Sequence, residues 1–429
     1  MTASRSLDDW LDYISAQHPA TIALGLERVR EVAVRMGVLP GDRAHPSSSS
    51  ALSPIITIGG TNGKGSTCAM LERILVEAGY RTGCYTSPHL QRYNERVRFS
   101  AEDASDATLV ESFERVEAAR GGTPLTYFEF GTLAALDAFA RAGIDVAILE
   151  VGLGGRLDAV NVIDADVAAV VSVDLDHQAY LGNDRESIGF EKAGIFRPGK
   201  PALFGDGDPP RRLVEHAHAI GAELQILGRD FGFEVFDRQW EFRGRRGPKR
   251  ALPMPALRGA WQLKNASVAL AALDEVGGRL PISLGEVKRG LATVTLAGRL
   301  QVLPGRPAIV LDVAHNPHAA RALSEGLLDM GFFETTFAVF GMLADKDLEG
   351  VVDAMRERVD RWLVAAPQAD RAASAARLMQ ALESRGLAAR AFVTVADALD
   401  AARREAGAND RIIVFGSFYT VAEALRSAR

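Results

Sequence analysis

Apolar and polar positions change rhythm several times along the chain. Residues 7–37 place apolar side chains at three- and four-residue spacing, in "LDDWLDYISAQ" and then "LERVREVAVRMG", which predicts two helices. From residue 54, short apolar runs without alternation take turns with helical stretches: "IITIG", "ESFERVEAARG", "FGTLAALDAFARAG", "VAILEV" and "VAAVVSV". Strands buried on both faces of a parallel sheet read this way. Residues 231–255 alternate apolar and polar positions, which predicts an antiparallel ribbon beside the sheet. Two further helices follow, "NASVALAALDEVG" and "PISLGEVKRGLATV". A second α/β series opens near residue 299, with strands expected at 308–313, 336–342, 361–367, 389–395 and 411–417 and helices such as "AARALSEGLLDMG" between them. The fold class is α/β: a large, mainly parallel-sheet domain over residues 1–295 and a smaller Rossmann-like domain over 299–429. "GDRAHPSSSS" (41–50) reads as a polar surface loop.

Composition narrows the classes. The 429 residues are 47% hydrophobic and 24% charged, enough for more than one core. A net charge of −6 argues against a general nucleic-acid or membrane-surface binder. Two cysteines, Cys68 and Cys84, cannot build a disulfide framework or a cysteine-only metal site. The N-terminal segment has early acids and no apolar core of a signal peptide, and no uncharged apolar stretch is long enough to span a membrane. The expectation is a cytoplasmic protein.

Ligands of open parallel sheets bind at the carboxyl ends of the strands, so the residues just after each apolar run carry the chemistry. After "IITI" comes "GGTNGKGST"; "VAILEV" contains Glu150 and leads to "GLGGRLDAVN". "VAAVVSV" leads to "DLDHQAYLG", with Asp176 and His177, and "AIVL" to "DVAHNP", with Asp312, His315 and Asn316. The glycine-rich loop misses the usual P-loop spacing, because Ile58 stands where its first glycine belongs and Gly65 follows Lys64. Its physics still suits a phosphate: glycines let the anion approach backbone N–H groups, the next helix turns its positive end to it, and Lys64 brings a charge. Ser66 or Thr67 could orient phosphate or metal. A plain strand-to-helix turn with an exposed lysine is the competing reading. Glu150 inside an apolar run suits a magnesium-holding acid, or a buried carboxylate satisfied by a cap or an arginine. His177 alone fits a core or loop histidine better than a magnesium ligand. "VGLGGRLD" lacks the third glycine of a dinucleotide fingerprint, since Leu157 occupies that position. "HAH" (216–218) and "RGRRGPKR" (243–250) read as a solvated helix face and a solvated hairpin.

In order and spacing, "GTNGKGST", "SPHLQRYNERVRF", "TYFEFGTLAAL", "ILEVGLGGRLDAVN", "DHQAYLG", "EKAGIFRPGKPA", "DVAHNPHAA" and "FGSFYTV" closely resemble the folylpolyglutamate synthase/dihydrofolate synthase family, the folate branch of the Mur-ligase-like enzymes. The resemblance runs from about residue 20 to the C-terminus and explains the loop as a variant with an inserted glycine. It implies an ATP-dependent ligase that turns a carboxylate into an acyl phosphate, from which the amino group of L-glutamate displaces phosphate. By motif, Lys64 with Thr61, Asn62, Gly63, Gly65 and Ser66 would hold the triphosphate. Ser87, Glu150 and His177 would hold magnesium, two ions in all, and Lys192 matches a lysine that the family carbamylates to gain another metal-binding carboxylate. Lys64, Glu150, His177 and Lys192 form the implied catalytic set. Asn265, Arg299, Asp312 and, less directly, His315 match nucleotide contacts, so the implied site lies between domains. The pteroate or folate would lie near Leu26, Glu27, Arg28 and Val29, near Thr126, Tyr127, Phe128 and Glu129, and near Leu157, Asp158 and Ala159. One departure is Gln178-Ala179-Tyr180 after His177, where a short hydroxyl residue and Trp are more familiar.

The "LTYFEFGTLAAL" form looks like bifunctional bacterial enzymes, which glutamylate 7,8-dihydropteroate and then extend reduced folates. The implied partners are ATP, L-glutamate and those acceptors, with no nucleic acid or membrane, and the chain is expected to be a monomer. Alternatives are an enzyme that only extends folates, a Mur-type ligase on a cell-wall precursor, and an inactive nucleotide-binding regulator. The retained Lys64, Ser87, Glu150, His177 and Lys192 speak against the last, and the lack of an obvious UDP-sugar domain against the cell-wall reading.

Overall fold

Every residue of Ile55–Gly59 (β1) is buried, as expected of a strand covered on both faces. The computed structural model describes residues 5–20, 22–39, 52 and 54–427, so the Ser-rich stretch at 41–50 lies outside the described residues. The chain divides into two compact units, Met1–Pro255 with Leu263–Val294, and Ala256–Gln262 with Thr295–Arg429.

The first unit holds an eight-stranded sheet. Its strands are β1, β2 (Thr82–Tyr85), β3 (Val97–Phe99), β4 (Glu102–Asp103), β5 (Val146–Glu150), β6 (Val167–Val170), β7 (Pro201–Phe204) and β8 (Glu223–Ile226), in the order β4-β3-β2-β5-β1-β6-β7-β8. β2 to β8 through β5, β1, β6 and β7 are parallel, while β3 and β4 form an antiparallel edge. The consequence for function lies in the centre: β2, β5, β1 and β6 are consecutive neighbours and end on the same edge.

One apolar cluster gathers helices Leu7–Ser15, Glu27–Arg35, Asp106–Arg120 and Tyr127–Ala142, with Trp10, Tyr93, Phe113 and Phe130 at its centre. Phe113 meets Phe130 edge-on at 5.7 Å and Tyr93 at 5.6 Å. A second cluster packs helices Arg185–Ala193 and Arg211–Ile220 around Ile188, Phe204 and Leu213. The alternating segment forms the three-stranded antiparallel ribbon β9 (Gly232–Phe236), β10 (Gln239–Arg243) and β11 (Lys249–Pro253). Its basic stretch is not simply solvated, contrary to the sequence expectation. Lys249 Nζ pairs with the buried Asp274 at 2.5 Å, and Arg246 donates from its backbone N–H to the same carboxylate and from Nε to the Asp274 carbonyl. His216 likewise packs edge-on against Phe190 at 5.3 Å instead of lying on a fully solvated face.

The second unit holds β12 (Gln301–Leu303), β13 (Ala308–Asp312), β14 (Thr336–Phe340), β15 (Arg361–Val364), β16 (Ala389–Ala391) and β17 (Arg411–Phe415), in the order β12-β13-β17-β14-β15-β16. All pairs are parallel except the β12 edge. The strand expected at 389–395 stops at Ala391, because Thr394 caps the helix Val395–Glu405 by accepting the Asp397 N–H. The strand expectations at 336–342, 361–367 and 411–417 ran past Phe340, Val364 and Phe415 into loops.

Phe340 is fully buried between Trp362 and Phe415, with ring centroids 5.5 and 5.0 Å away. Phe340→Ala should destabilise the second unit by about 3–5 kcal/mol. Denaturant unfolding followed by tryptophan fluorescence will measure it, and a loss below 1 kcal/mol would mean that the aromatic layer repacks.

Candidate active site

The loop after β1 is stitched to the exit of β6. Thr61 N–H donates to the Ser172 carbonyl at 2.8 Å, and Thr61 Oγ1 donates to the Asp174 carbonyl and accepts the Asp174 N–H. Asn62 N–H donates to Ser172 Oγ, which donates in turn to the Asn62 carbonyl. Gly63 has φ +88° and precedes the helix Lys64–Glu77; a Cβ there would lie 2.4 Å from Asn265 Oδ1 and 2.9 Å from Val171 Cγ1. Asn265, buried on the helix Gln262–Val276, therefore lies against the loop. Lys64 Nζ donates to the carbonyls of Gly60 and Thr61, folded over its own loop. Both hydroxyl residues that follow are buried; Thr67 donates to the Gly63 carbonyl, and Ser66 is the one that the motif resemblance assigns to the phosphates.

Glu150 ends β5 directly beside Ile58 of β1 and is buried. Its Oε2 accepts the backbone N–H of Ser87, which follows β2 on the other side. The structure thus brings Ser87 and Glu150 together. Asp176 and His177 follow β6; His177 has φ +51°, with Nε2 3.9 Å from Asp176 Oδ2. Serine hydroxyl and glutamate carboxylate are hard oxygen donors of the kind magnesium takes. Among the described residues no group of three or more His, Cys, Asp and Glu side chains stands ready for a metal. The set implied by the motifs draws on a serine and a lysine as well.

That lysine, Lys192, sits near the end of the helix Arg185–Ala193 and is buried. Burial pulls its pKa down to about 7, and the Lys64 charge acts in the same direction, against Asp176 and Asp158. Among the described residues it makes no salt bridge, and the acids that act on it, Asp176 and Asp158, do so without direct pairing. Asp158 is also buried, and burial raises its pKa to about 7 against the backbone N–H groups of Leu153 and Val160 that it accepts.

The three segments expected to surround the pterin meet in space. Gly25 N–H donates to the Leu157 carbonyl at 3.2 Å, and Arg28 pairs with Glu129 at 2.7 Å while also bonding the Ala23 carbonyl. Glu129 and Thr126 form the capping box of the helix Tyr127–Ala142. Leu26 and Glu27 open the helix Glu27–Arg35, whereas Val29 and Ala159 are buried in the apolar cluster. Phe128 is half-buried, its ring 6.0 Å from that of Tyr85. A residue pair without a sequence assignment joins this wall: Arg96 donates from Nε to Nδ1 of His89 at 2.9 Å. Burial, with the Arg96 charge, lowers the His89 pKa to about 4. Both residues stand in "SPHLQRYNERVRF", but only folding shows that they touch.

In the second unit Asp312 ends β13, buried, and accepts the N–H groups of Leu300 at 2.7 Å and Ala314 at 2.8 Å. Burial raises its pKa despite the nearby Arg299. Phe418, at the start of the helix Phe418–Ser427 after β17, lies under Arg299 at 5.1 Å and beside His315 at 6.2 Å. Asn316 caps the helix Pro317–Asp329, accepting the Ala319 N–H. Arg299, Asp312 and His315 therefore share one strand edge.

Residues 58–205 match the Mur ligase middle domain, and residues 298–418 match the Mur ligase, glutamate ligase domain. Fold and strand-edge chemistry together define the class as a Mur-type ligase. The chain is 44% identical over 423 residues to the dihydrofolate synthase/folylpolyglutamate synthase of Escherichia coli (strain K12), which spans 99% of this chain and 96% of that protein. It belongs to the dihydrofolate synthase/folylpolyglutamate synthase family. The structure of E. coli FolC in complex with DHPP and ADP superposes with a TM-score of 0.93 at 44% identity, covering 100% of this chain and 99% of that one. A bifunctional folylpolyglutamate synthase/dihydrofolate synthase with Mn, AMPPNP and L-glutamate bound superposes with a TM-score of 0.90, also at 44% identity and with the same coverage.

Gly63→Ala tests the loop geometry. A positive φ costs an alanine about 1–2 kcal/mol, and the methyl group would press on Asn265. Nucleotide affinity by titration calorimetry should fall by more than about tenfold, with a lowered melting temperature. Unchanged affinity would show that the loop tolerates a side chain and that its glycine is not needed for phosphate approach.

Proposed function

We propose that the chain joins L-glutamate to 7,8-dihydropteroate and further glutamates to reduced folates, using ATP and an acyl-phosphate intermediate. The observation that carries this reading is the arrangement of the four neighbouring strands β2, β5, β1 and β6, which deliver Ser87, Glu150, the Lys64 loop and His177 to one edge. Phosphoryl transfer from ATP to a carboxylate asks chiefly for positioning and for cations around a highly anionic transition state. Loop N–H groups and Lys64 would hold the phosphates, with Thr61, Asn62, Gly63, Gly65, Ser66 and Asn265 shaping their bed. Ser87, Glu150, His177 and a carbamylated Lys192 would hold two magnesium ions; when bound, these neutralise phosphate charge. The acceptor would lie along Leu26–Arg28, Thr126–Glu129 and Leu157–Asp158, where Arg28 and Glu129 lock each other in place. Arg299, Asp312 and His315 would be the second unit's contacts to the nucleotide. A monomer acting in the cytoplasm belongs to the same proposal.

The bifunctional reading is favoured over a purely folate-extending enzyme by the name of the E. coli relative, which carries both activities. ATP-dependent phosphate release with magnesium and L-glutamate tests it, with dihydropteroate and a reduced folate monoglutamate compared as acceptors. Both should support turnover and gain one glutamate by mass spectrometry. Activity on the folate alone would reduce the assignment to chain extension. Lys64→Ala should lower kcat by about 10²–10³-fold, and wild-type turnover in that variant would overturn the phosphate role.

Lys192 makes a separate prediction. An amine with a pKa near 7 is mostly cationic and unreactive at pH 6 and mostly neutral at pH 8. Carbamylation joins the neutral nitrogen to CO2 and releases a proton, so uptake of 13C-bicarbonate at Lys192 should rise between those pH values. Lys192→Ala should lose the labelled signal and regain part of its activity with added short carboxylates. No label at pH 8 would leave a plain buried lysine.

A further inference from the structure

The loop between β2 and β3 is wrapped around one carboxylate. Glu95 accepts the N–H groups of Leu90, Gln91 and Arg92 at 2.7, 2.7 and 2.9 Å. Thr86 N–H donates to the Arg96 carbonyl at 2.9 Å and closes the loop at its neck. This rigid turn presents the side chain of Arg96, half-buried, over the rings of Tyr93 at 5.4 Å and Tyr127 at 5.5 Å. Nε is taken by His89 Nδ1, a nitrogen that carries no proton if it accepts. Among the described residues Arg96 has no carboxylate partner, and its two terminal nitrogens donate to no protein atom. Arg28, Arg98, Arg115 and Arg120 each have an acid within 3 Å. A guanidinium held by two rings and an imidazole, with its forked end left over, is built to receive a planar anion.

Its surroundings say which anion. Tyr127 opens the helix that carries Phe128 and Glu129 of the proposed pterin wall, and Ser87 of the proposed metal set lies in the same loop as His89. Pteroate has one carboxylate, and it must attack; a forked arginine on it would stabilise the ground state and slow that attack. A folate monoglutamate ends in two carboxylates, of which one reacts and the other must be held aside. We propose that Arg96 anchors the non-reacting α-carboxylate of the glutamyl tail and so decides how well the chain accepts folates relative to dihydropteroate. This deepens, and rests on, the ligase reading given above.

The test compares wild type, Arg96→Ala and Arg96→Lys on dihydropteroate, on reduced folate monoglutamate, and on the folate analogue with 4-aminobutyrate in place of glutamate. The analogue keeps the reacting carboxylate and lacks the other. Arg96→Ala should shift the ratio of kcat/KM values toward dihydropteroate by about 50-fold, mainly through KM for the folate, and Arg96→Lys by less. Wild type should use the analogue about as poorly as Arg96→Ala uses the folate, and the variant should no longer tell folate from analogue. Equal losses on all acceptors, or a variant that still discriminates as wild type does, would overturn the proposal. So would full wild-type activity on the analogue, a result that needs no variant to fold. A wild type inactive on every acceptor would overturn the ligase reading and this inference with it.

Discussion

The site in the first unit depends on the stitching of the β1 loop to the end of β6. Thr61 and Asn62 use backbone and side chain alike to bond Ser172 and Asp174, so the loop cannot move independently of the strand that carries Asp176 and His177. Once that seam is closed, Gly63 is pressed against Asn265 and Val171 and has no room for a side chain. The helix then starts at Lys64, with its first N–H groups and its lysine at the same end. Glu150 is placed by register alone, since β5 pairs with β1 at Ile58. Ser87 is placed by Glu150, which accepts its backbone N–H.

Charge burial follows from this crowding. Glu150, Asp158 and Lys192 are each buried, where ionised groups cost several kcal/mol unless paired or neutral. Lys192 and Asp158 move toward their neutral forms, each with a pKa near 7. The buried Arg98, by contrast, is paired. Arg98 joins Glu72 of the helix after the phosphate loop at 2.7 Å, reaches Cys84 Sγ at 3.2 Å, and bonds Thr86 Oγ1 just before Ser87. Such a network stabilises one arrangement of helix, strand and loop more than it stabilises the fold as a whole.

Much of this was legible in the sequence because buried parallel strands read as uninterrupted apolar runs, and their ends are where polar residues must begin. The runs "IITIG", "VAILEV" and "VAAVVSV" therefore located the loop, Glu150 and His177 without a structure. Short or edge strands were not legible. β2 spans four residues and β3 three, the latter with a half-exposed pattern that no periodicity distinguishes from a loop. Overshoot at 389–395 has the same origin, because "FVTV" has strand-like composition while Thr394 and Asp397 make a helix cap. The excursion of Ala256–Gln262 into the second unit leaves no compositional trace. Side-chain pairings such as Arg28 with Glu129, 101 residues apart, or Lys249 with Asp274 exist only after folding.

The second unit follows the same rule by a different route. β13 and β17 are neighbours, yet the helices that leave them pack into different groups. Pro317–Asp329 packs against Leu348–Met355, which packs against Ala375–Glu383, while Phe418–Ser427 packs against Val395–Glu405. Adjacent strands whose loops depart to opposite faces open a crevice between them, and open α/β sheets bind ligands there. Asp312, His315 and Asn316 stand at the end of β13 and Phe418 follows β17, with the rings of His315 and Phe418 6.2 Å apart. Gly416 makes this approach possible: at φ +112° its Cβ would sit 2.4 Å from the Gly341 carbonyl oxygen, and Thr420 Oγ1 donates to that same oxygen. The Gly-Ser pair before Phe418 is thus a packing device that sets the aromatic ring under Arg299. Its chemistry lies in what the ring supports.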